Sequence, residues 1–286
     1  MKKAIVTITL FLVAAASAHP QLVSFKLMGG TLWINGDEYN KGIAGDNRYL
    51  KDTSLSMTGS YKELRNGLNF SAEIIVNANK HLAVGFGVGY YHLGNESQVK
   101  AQGVLSGLAF DSESTYKPSI SVIPLFVNLH YLMSLGSIAD LDIYAGPLFQ
   151  VVQFNFRNRS TMSLSSLLQT LTFRSSSTTL GGQAGLGLNF HLFRGVSLVV
   201  ESCYRYGKIR DFVGNWAVIG DSASGPINKS SAEYYFWTYR DTSTGGYPRT
   251  GFFDNNGPSG DSISDARKAF IDLSGVYALG GIKFSF

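Results

Sequence analysis

The chain has one cysteine, few charged residues and, beyond its N-terminus, no long apolar run. The single cysteine, Cys203, excludes an internal disulfide and a metal site built from several cysteines. No later stretch approaches the ~20 consecutive apolar residues that a membrane-spanning helix requires. Only 15% of the 286 residues are charged, and the formal net charge is +4. These shortages exclude spanning helices and argue against nucleic acid as a partner.

Glycine and aromatic residues are abundant instead. The chain contains 32 glycines, 15 tyrosines and 19 phenylalanines, and 44% of its residues are hydrophobic. Disordered segments are poor in aromatic and apolar residues. The composition therefore indicates a folded protein.

The N-terminus has the order of regions found in a cleavable export signal. Lys2 and Lys3 precede an apolar stretch over 4–16, and Ala16-Ser17-Ala18 places small residues at the positions that a signal peptidase reads. We therefore predict a signal peptide over residues 1–18 and one exported domain over 19–286. A short buried helix is the alternative for the first segment.

Eight later segments alternate apolar residues with small or polar ones, which is the period of a β-strand. In the second segment Leu68, Phe70 and Ile74 share one face, and Asn69 shares the other with Glu73. No charged residue lies on the apolar face of any of the eight segments. The opposite faces are rich in glycine and alanine and carry the charged residues Lys26, Glu73, Glu201, Arg205 and Lys283.

This asymmetry predicts a closed antiparallel transmembrane β-barrel with lipid outside and small residues inside. A sheet crosses lipid only when it is closed, because an open edge leaves backbone groups without partners. Such barrels have an even number of antiparallel strands, and we predict eight. A soluble β-sandwich with one face toward water is the alternative.

The charged residues of the inner faces are expected to pair with one another. Buried charges persist only when they are paired and hydrogen-bonded, so we predict an interior network of Lys26, Glu73, Glu201, Arg205 and Lys283. Side chains fill a barrel of this size, which predicts a filled or very narrow lumen. A proton or ion pathway along these residues is the alternative.

The links between the segments alternate between long and short, as do the extracellular loops and periplasmic turns of membrane barrels. Long links cover about residues 35–66, 94–118, 157–179 and 210–270. In the last of these, Ala232 to Tyr239 could form a hairpin above the membrane or a further pair of wall strands, giving ten. Pro147 in the fifth segment predicts a bulge or a local break, because proline donates no ladder hydrogen bond.

The chain ends in a segment with a recognisable pattern. Gly281, Phe284 and Phe286 in Gly281-Ile282-Lys283-Phe284-Ser285-Phe286 resemble the C-terminal signal that the bacterial barrel assembly machinery recognises. The mature chain also resembles the small outer-membrane barrels of the OmpX, OmpA membrane-domain and opacity-protein type. Residues 123–129, 185–188 and 201–207 carry that resemblance.

The resemblance implies a protein of the bacterial outer membrane that contacts outer-membrane lipid and is inserted by the assembly machinery. Members serve as structural, adhesive or host-interacting surface proteins, and related barrels include enzymes and narrow channels. We predict a structural or surface-interaction role with no cofactor, no metal and no catalytic activity. A narrow channel or transporter for small or apolar solutes is the second hypothesis, and a lipid-modifying envelope enzyme is the third.

Aromatic residues concentrate in the longest loop. Tyr235, Trp237, Tyr239, Phe252 and Phe253 belong to residue types that are enriched at recognition surfaces. We predict that they bind an extracellular protein or a surface ligand. The alternative is that they pack together and keep the long loop compact.

Two polar groups are weaker candidates for chemistry. His92 lies near Glu96 and Ser97, but neighbours along the chain do not by themselves supply the geometry of a base and a nucleophile. Residues 254–257 followed by Asp261 are similar to a calcium loop but lack its ligand spacing and distal glutamate. We interpret His92 as a polar rim residue and the later segment as a turn.

Overall fold

The computed structural model describes residues 23–105, 108–163, 167–220, 227–241, 245–253 and 257–286. These ranges contain sixteen strands and one helix. The predicted signal peptide over 1–18 and residues 254–256 of the predicted turn lie outside them. Within them, no helix has both the length and the apolar character needed to cross a membrane.

The helix follows the first strand, and all later elements are strands. In chain order the elements are β1 (Val23–Ile34), α1 (Asp37–Thr53), β2 (Ser56–Gly59), β3 (Asn66–Asn77), β4 (Leu82–Gly94), β5 (Ser97–Leu105), β6 (Leu108–Ser134), β7 (Ala139–Met162), β8 (Leu167–Phe193), β9 (Val196–Tyr206), β10 (Lys208–Ile209), β11 (Val213–Gly220), β12 (Ile227–Asp241), β13 (Gly245–Phe253), β14 (Ile263–Lys268), β15 (Ile271–Asp272) and β16 (Gly275–Ser285).

Eight of the strands form a closed ring of antiparallel pairs. The order around the ring is β1, β3, β4, β6, β7, β8, β9 and β16. β16 pairs with β1 from Ser285 opposite Ser24 to Gly275 opposite Ile34, which leaves the ring without an open edge. The prediction of an antiparallel sheet with eight wall strands is confirmed, but the total number of strands is higher because others lie beyond the ring.

The two faces of the ring differ in polarity. On β3, Leu68 is 58% exposed, whereas its neighbour Asn69 is fully buried. The exposed outer side chains are mostly apolar and include Leu27, Phe70, Ile74, Phe86, Val88, Ile123, Leu125, Val127, Leu129, Ile143, Phe149, Leu186, Val200 and Ile282. An apolar belt therefore surrounds the ring, and the buried polar side chains, such as Asn69, lie inside it.

Pro147 interrupts the ring on one side only. Its pairing with β8 continues along that strand. On the β6 side, pairing stops at Phe126 opposite Leu148 and resumes at Leu129 opposite Ala145, with no change of register. The predicted local break is present on this side, but the predicted bulge is absent because no extra residue enters either strand.

Strands β6, β7 and β8 continue well beyond the ring, with lengths of 27, 24 and 27 residues. The long links predicted over 94–118 and 157–179 are mostly strand, so that part of the prediction was wrong. β5 and β2 extend the sheet from β6, and β11, β12 and β13 extend it from β8. We call the cap the extensions of β6, β7 and β8 together with α1, β2, β5 and β11 to β14. The segment 232–239 belongs to the cap and not to the ring.

Helix α1 occupies part of the link that was predicted as a loop over 35–66. Asp37 and Glu38 in its first turn and Lys51 in its last turn have the charges that suit the helix dipole. Its buried face includes Tyr39 and Ile43 and packs against β13. The packing partner comes from a distant part of the chain, so the helix could not be inferred from local alternation.

Gly45 lets α1 approach β13 closely, since a Cβ at this position would lie 1.8 Å from the carbonyl oxygen of Pro248. We expect Gly45→Val to push α1 away from β13 and to destabilise the cap by about 1 to 3 kcal/mol. Hydrogen exchange of the α1 amides should then rise while the ring amides stay protected. Ala44→Val, on the exposed face of the same turn, is the matched control. Equal exchange in the two variants would contradict the close approach.

Candidate functional site

Inside the ring, Lys26 lies between two carboxylates. Its Nζ is 2.7 Å from Glu73 Oε2 and 3.0 Å from Glu201 Oε2. All three side chains are buried, and Tyr144 donates its hydroxyl hydrogen to the other oxygen of Glu201. β1 and β3 place Lys26 directly opposite Glu73, so strand register makes the first of these pairs.

His130 joins Glu73 to a third carboxylate. Its Nε2 is 3.0 Å from Glu73 Oε1, and its Nδ1 is 2.9 Å from Asp142 Oδ1. A histidine ring donates from both nitrogens only as an imidazolium, so this position between two carboxylates favours the charged ring. His130 is fully buried, and the two ion pairs offset the cost of removing its charge from water.

Two side-chain amides, those of Gln183 and Asn128, connect Arg205 to Glu73. Arg205 Nε donates to Gln183 Oε1 at 2.9 Å, and Gln183 Nε2 donates to Asn128 Oδ1 at 2.8 Å. Asn128 Nδ2 then donates to Glu73 Oε1 at 2.8 Å. The guanidinium also lies 4.3 Å from the ring centroid of Tyr277. We call the lumen network the set Lys26, Glu73, Asn128, His130, Asp142, Gln183, Glu201 and Arg205.

The contacts of the lumen network reach over intervening strands of the ring. β16 lies between Lys26 and Glu201, and β4 lies between Glu73 and His130. On β4, Gly85 leaves the necessary space, because a Cβ there would lie 2.2 Å from Glu73 Oε1 and 2.6 Å from His130 Nε2. The small residues of the inner faces therefore allow longer side chains to meet across the lumen.

The structure brings together only some of the charged residues assigned to the interior. Lys26, Glu73 and Glu201 form direct ion pairs, and Arg205 reaches them through amides. Lys283 is buried but forms no ion pair within the described part of the chain. The network has four further buried members that the sequence analysis did not assign to it: Asn128, His130, Asp142 and Gln183. Their alternation was visible, but their partners depend on register across several strands.

The residues of the predicted assembly signal lie at the end of β16. Phe286 is 76% exposed and Phe284 is half-buried. Gly281 has a packing reason of its own, since a Cβ there would lie 1.9 Å from the carbonyl oxygen of Leu27 on β1. Their recognition by the assembly machinery stays a prediction.

The predicted partner-binding aromatics lie on β12 and β13. Tyr235 is buried and donates to Glu233 Oε2 at 2.8 Å. Trp237 and Tyr239 are half-buried, and the ring of Tyr239 packs 5.7 Å from that of Tyr49 on α1. Phe252 and Phe253 belong to β13, and their side chains lie outside the described part of the structure. Partner binding by these five residues stays a prediction.

A cavity of about 300 Å³ opens in the cap, between α1, the extensions of β6 and β7, and β11 to β13. The sequence analysis did not identify it, because its aromatic lining comes from distant parts of the chain. That lining consists of Tyr39, Tyr61, Tyr116, Phe154, Phe156, Trp216 and Tyr234. We call it the cap cavity.

The charges of the cap cavity compensate each other. Arg249 Nε donates to Asp46 Oδ1 at 2.7 Å. Burial raises the pKa of the Asp46 carboxyl, and the Arg249 guanidinium opposes that effect. The hydroxyls of Tyr39 and Tyr116 are 3.0 Å apart, and burial raises the pKa of both well above the usual tyrosine value. The cavity thus offers aromatic faces and neutral hydroxyls beside one ion pair.

The residues considered for catalysis are not brought together. His92 Nδ1 is 3.0 Å from the hydroxyl of Ser121 on β6, on the outer face of the ring. Ser97 Oγ instead accepts from the Lys62 backbone N–H at 2.9 Å, and Glu96 pairs with a lysine on β6. Among the residues that the structure describes, no group of three or more histidine, cysteine, aspartate or glutamate side chains could hold a metal ion.

No protein-family model matches the chain, and no curated protein sequence matches it either. Among solved structures, OprG from Pseudomonas aeruginosa shares 12% identity over 93% of this chain and 97% of its own, with a TM-score of 0.37. A major outer membrane protein of Thermus thermophilus shares 15% identity over 92% and 99%, with a TM-score of 0.34. The outer membrane protease OmpT from Escherichia coli shares 8% identity over 93% and 97%, with a TM-score of 0.35. The sequence resemblance was also to outer-membrane proteins, and the fold itself rests on the strand pairing described above.

Proposed function

We propose that this chain is an outer-membrane β-barrel with a filled lumen and a cap that acts in surface interactions. The lumen network is the observation that carries the proposal. Its members come from β1, β3, β6, β7, β8 and β9, six of the eight ring strands. Their ion pairs and hydrogen bonds cross the lumen and occupy the space that a solute would need.

The apolar belt supports the membrane location. A ring of this kind would hide its apolar side chains if it faced a second sheet, yet Phe70, Val88, Leu129 and Leu186 are 45% to 60% exposed. Lipid tails accept such a surface, and a closed ring satisfies the backbone groups that lipid cannot.

A channel is the weaker hypothesis because the lumen contacts are charged and buried. A solute would have to separate Lys26 from Glu73 or His130 from Asp142, and each separation would leave a buried charge without its partner. We therefore propose that the barrel is closed in its resting state.

The cap cavity supports a role in recognition. Ligand pockets are typically concave and mostly apolar, with a few polar groups that fix the orientation of the ligand. The aromatic lining and the Asp46–Arg249 pair fit that description. We propose that the cap takes part in surface interactions through this cavity and that the protein is not an enzyme.

Cysteine labelling in intact cells tests the membrane location and orientation. Leu55 in the cap is 80% exposed, and Ile138 in the short turn between β6 and β7 is 72% exposed. We expect a membrane-impermeant maleimide to label Leu55→Cys in intact cells and Ile138→Cys only after the outer membrane is permeabilised. The parent chain is the control, because its one cysteine, Cys203, is buried. Equal labelling of the two variants in intact cells would contradict the proposed orientation.

A binding screen tests the role of the cap cavity. The purified mature chain would be applied to immobilised extracellular proteins and sugars. We expect Trp216→Ala to weaken any specific binding by tenfold or more, on the order seen for buried aromatic anchors. Trp33→Ala, on the exposed outer face of β1, is the matched control and should bind like the parent. Equal binding by all three chains would remove the cavity from the recognition site.

A further inference from the structure

A cavity of about 840 Å³ opens at the end of the ring opposite the cap. The turns between β3 and β4 and between β8 and β9 surround it. Its inner lining comes from β1, β7, β8, β9 and β16, and its charged and polar residues include Ser24, Asp140, Asn189, His191, Ser197 and Lys283. We call this cavity the mouth.

Lys283 is a buried lysine that has no direct ion-pair partner among the described residues. Its side chain is 7% exposed, and it forms no salt bridge with any residue that the structure describes. Its direct neighbour on β1 is Lys26, so the nearest cross-strand charge has the same sign. A buried ammonium without a partner carries a large desolvation cost, and a like charge opposite adds to it.

The carboxylates inside the ring are already engaged. Glu73 and Glu201 bind Lys26, and Asp142 binds His130. A further carboxylate, Asp140, lines the mouth, and its Oδ2 is 3.2 Å from His191 Nε2. Asp142 and Asp140 attract the Lys283 ammonium from a distance, but no described carboxylate forms an ion pair with it.

Asn189 is a second buried group that lines the mouth without a partner. It is 1% exposed, and neither its amide nitrogen nor its amide oxygen has a hydrogen-bond partner in the described part of the chain. Buried side-chain amides are almost always hydrogen-bonded. The Asn189 amide is therefore a candidate to bind a ligand. One hydroxyl lies nearby: Ser197 is the direct cross-strand neighbour of both Lys283 and His191, and its Oγ is 3.1 Å from His191 Nδ1.

The rim of the mouth adds positive charge. Lys80 and Arg194 line it, against the single carboxylate of Asp140, which His191 engages. A surplus of cations around a concave polar site attracts anions. The mouth is therefore suited to a small anionic group.

We propose that the mouth binds a small anion that carries a carboxylate or a phosphate group. Lys283 Nζ supplies the charge, and the Asn189 amide nitrogen supplies a directed hydrogen bond, which an anionic acceptor strengthens. Asp140, the cross-strand neighbour of Asn189, stays paired with His191. This inference does not depend on what the cap binds.

Calorimetric titration of the folded mature chain in detergent micelles tests the proposal. Sodium phosphate and sodium acetate would be titrated separately at pH 7 and constant ionic strength, so that the two arms identify the preferred group. We expect saturable binding of at least one anion, weakened about tenfold or more by Lys283→Met. Lys283→Arg keeps the charge and should bind within about threefold of the parent. Asn189→Ala should weaken binding about three- to tenfold, as loss of one hydrogen bond to a charged group does.

Lys100→Met is the matched control, since Lys100 is exposed in the cap and pairs with Glu113 at 3.2 Å. It should bind anions like the parent. Absence of saturable binding of both anions to the parent chain overturns the proposal, because water alone would then satisfy the mouth. Unchanged binding in Lys283→Met or in Asn189→Ala overturns it as well, and circular dichroism of each variant verifies that it is folded.

Discussion

Replacing Glu73 with leucine should destabilise the folded protein by about 3 to 5 kcal/mol, the usual cost of breaking a buried ion pair by removing one partner. Glu73 accepts from Lys26, His130 and Asn128 at the same time. Its loss leaves the Lys26 ammonium with one carboxylate and leaves His130 Nε2 with no acceptor. Reversible urea unfolding in lipid vesicles measures the change in the free energy of unfolding.

Glu113→Leu is the matched control for this experiment. Glu113 pairs with Lys100 at 3.2 Å, and both side chains are well exposed. Exposed pairs of this kind contribute about 0 to 1 kcal/mol. Equal losses in Glu73→Leu and Glu113→Leu would mean that the lumen network does not stabilise the barrel.

Introducing arginine at Leu186 should cost about 2 to 4 kcal/mol, the range for a cation facing lipid near the middle of a barrel strand. Leu186 is 56% exposed on the outer face of β8. Gln183→Glu, on the inner face of the same strand, loses the hydrogen bond that Gln183 Nε2 donates to Asn128 Oδ1. It should still cost less, because Arg205 Nε lies 2.9 Å from the Gln183 side-chain oxygen and would gain an ionised partner. The same vesicle assay compares the two variants, and equal costs would contradict the assignment of the faces.

The ring could be predicted from the sequence because each strand meets two different environments. Leu68, exposed on the outer face, and Asn69, buried on the inner face, follow one another, and this alternation repeats around the ring. The extensions of β6, β7 and β8 were missed for the converse reason. Beyond the belt, an outward side chain meets water and need not be apolar. In the extension of β6, Lys117 is exposed and Ser114 is half-buried, so the sequence there shows no apolar face that would indicate a strand.

The lumen network could be predicted only in part. Alternation assigned Lys26, Glu73 and Glu201 to the interior, but the choice of partners depends on which residues lie opposite one another. Lys283 shares that face but lies opposite the like charge of Lys26 and not opposite a carboxylate. The partners of His130 also depend on Gly85, whose missing side chain opens the space across β4.

The cap cavity could not be predicted from local pattern at all. Tyr39 comes from α1, Tyr116 from β6 and Trp216 from β11, and only the folded cap brings them together. The sequence analysis instead selected Tyr235, which is buried and donates a hydrogen bond to Glu233. Clustering along the chain was a poor guide to clustering in space.

Single-channel recording of the purified mature chain in a planar bilayer tests the filled lumen most directly. Because the lumen network crosses the ring with buried ion pairs, we expect no steady conductance from the parent chain. We expect brief channel openings from Glu73→Leu, because this substitution disrupts the lumen network. A steady conductance of the parent chain at the level of a general porin would contradict the filled lumen and favour a channel.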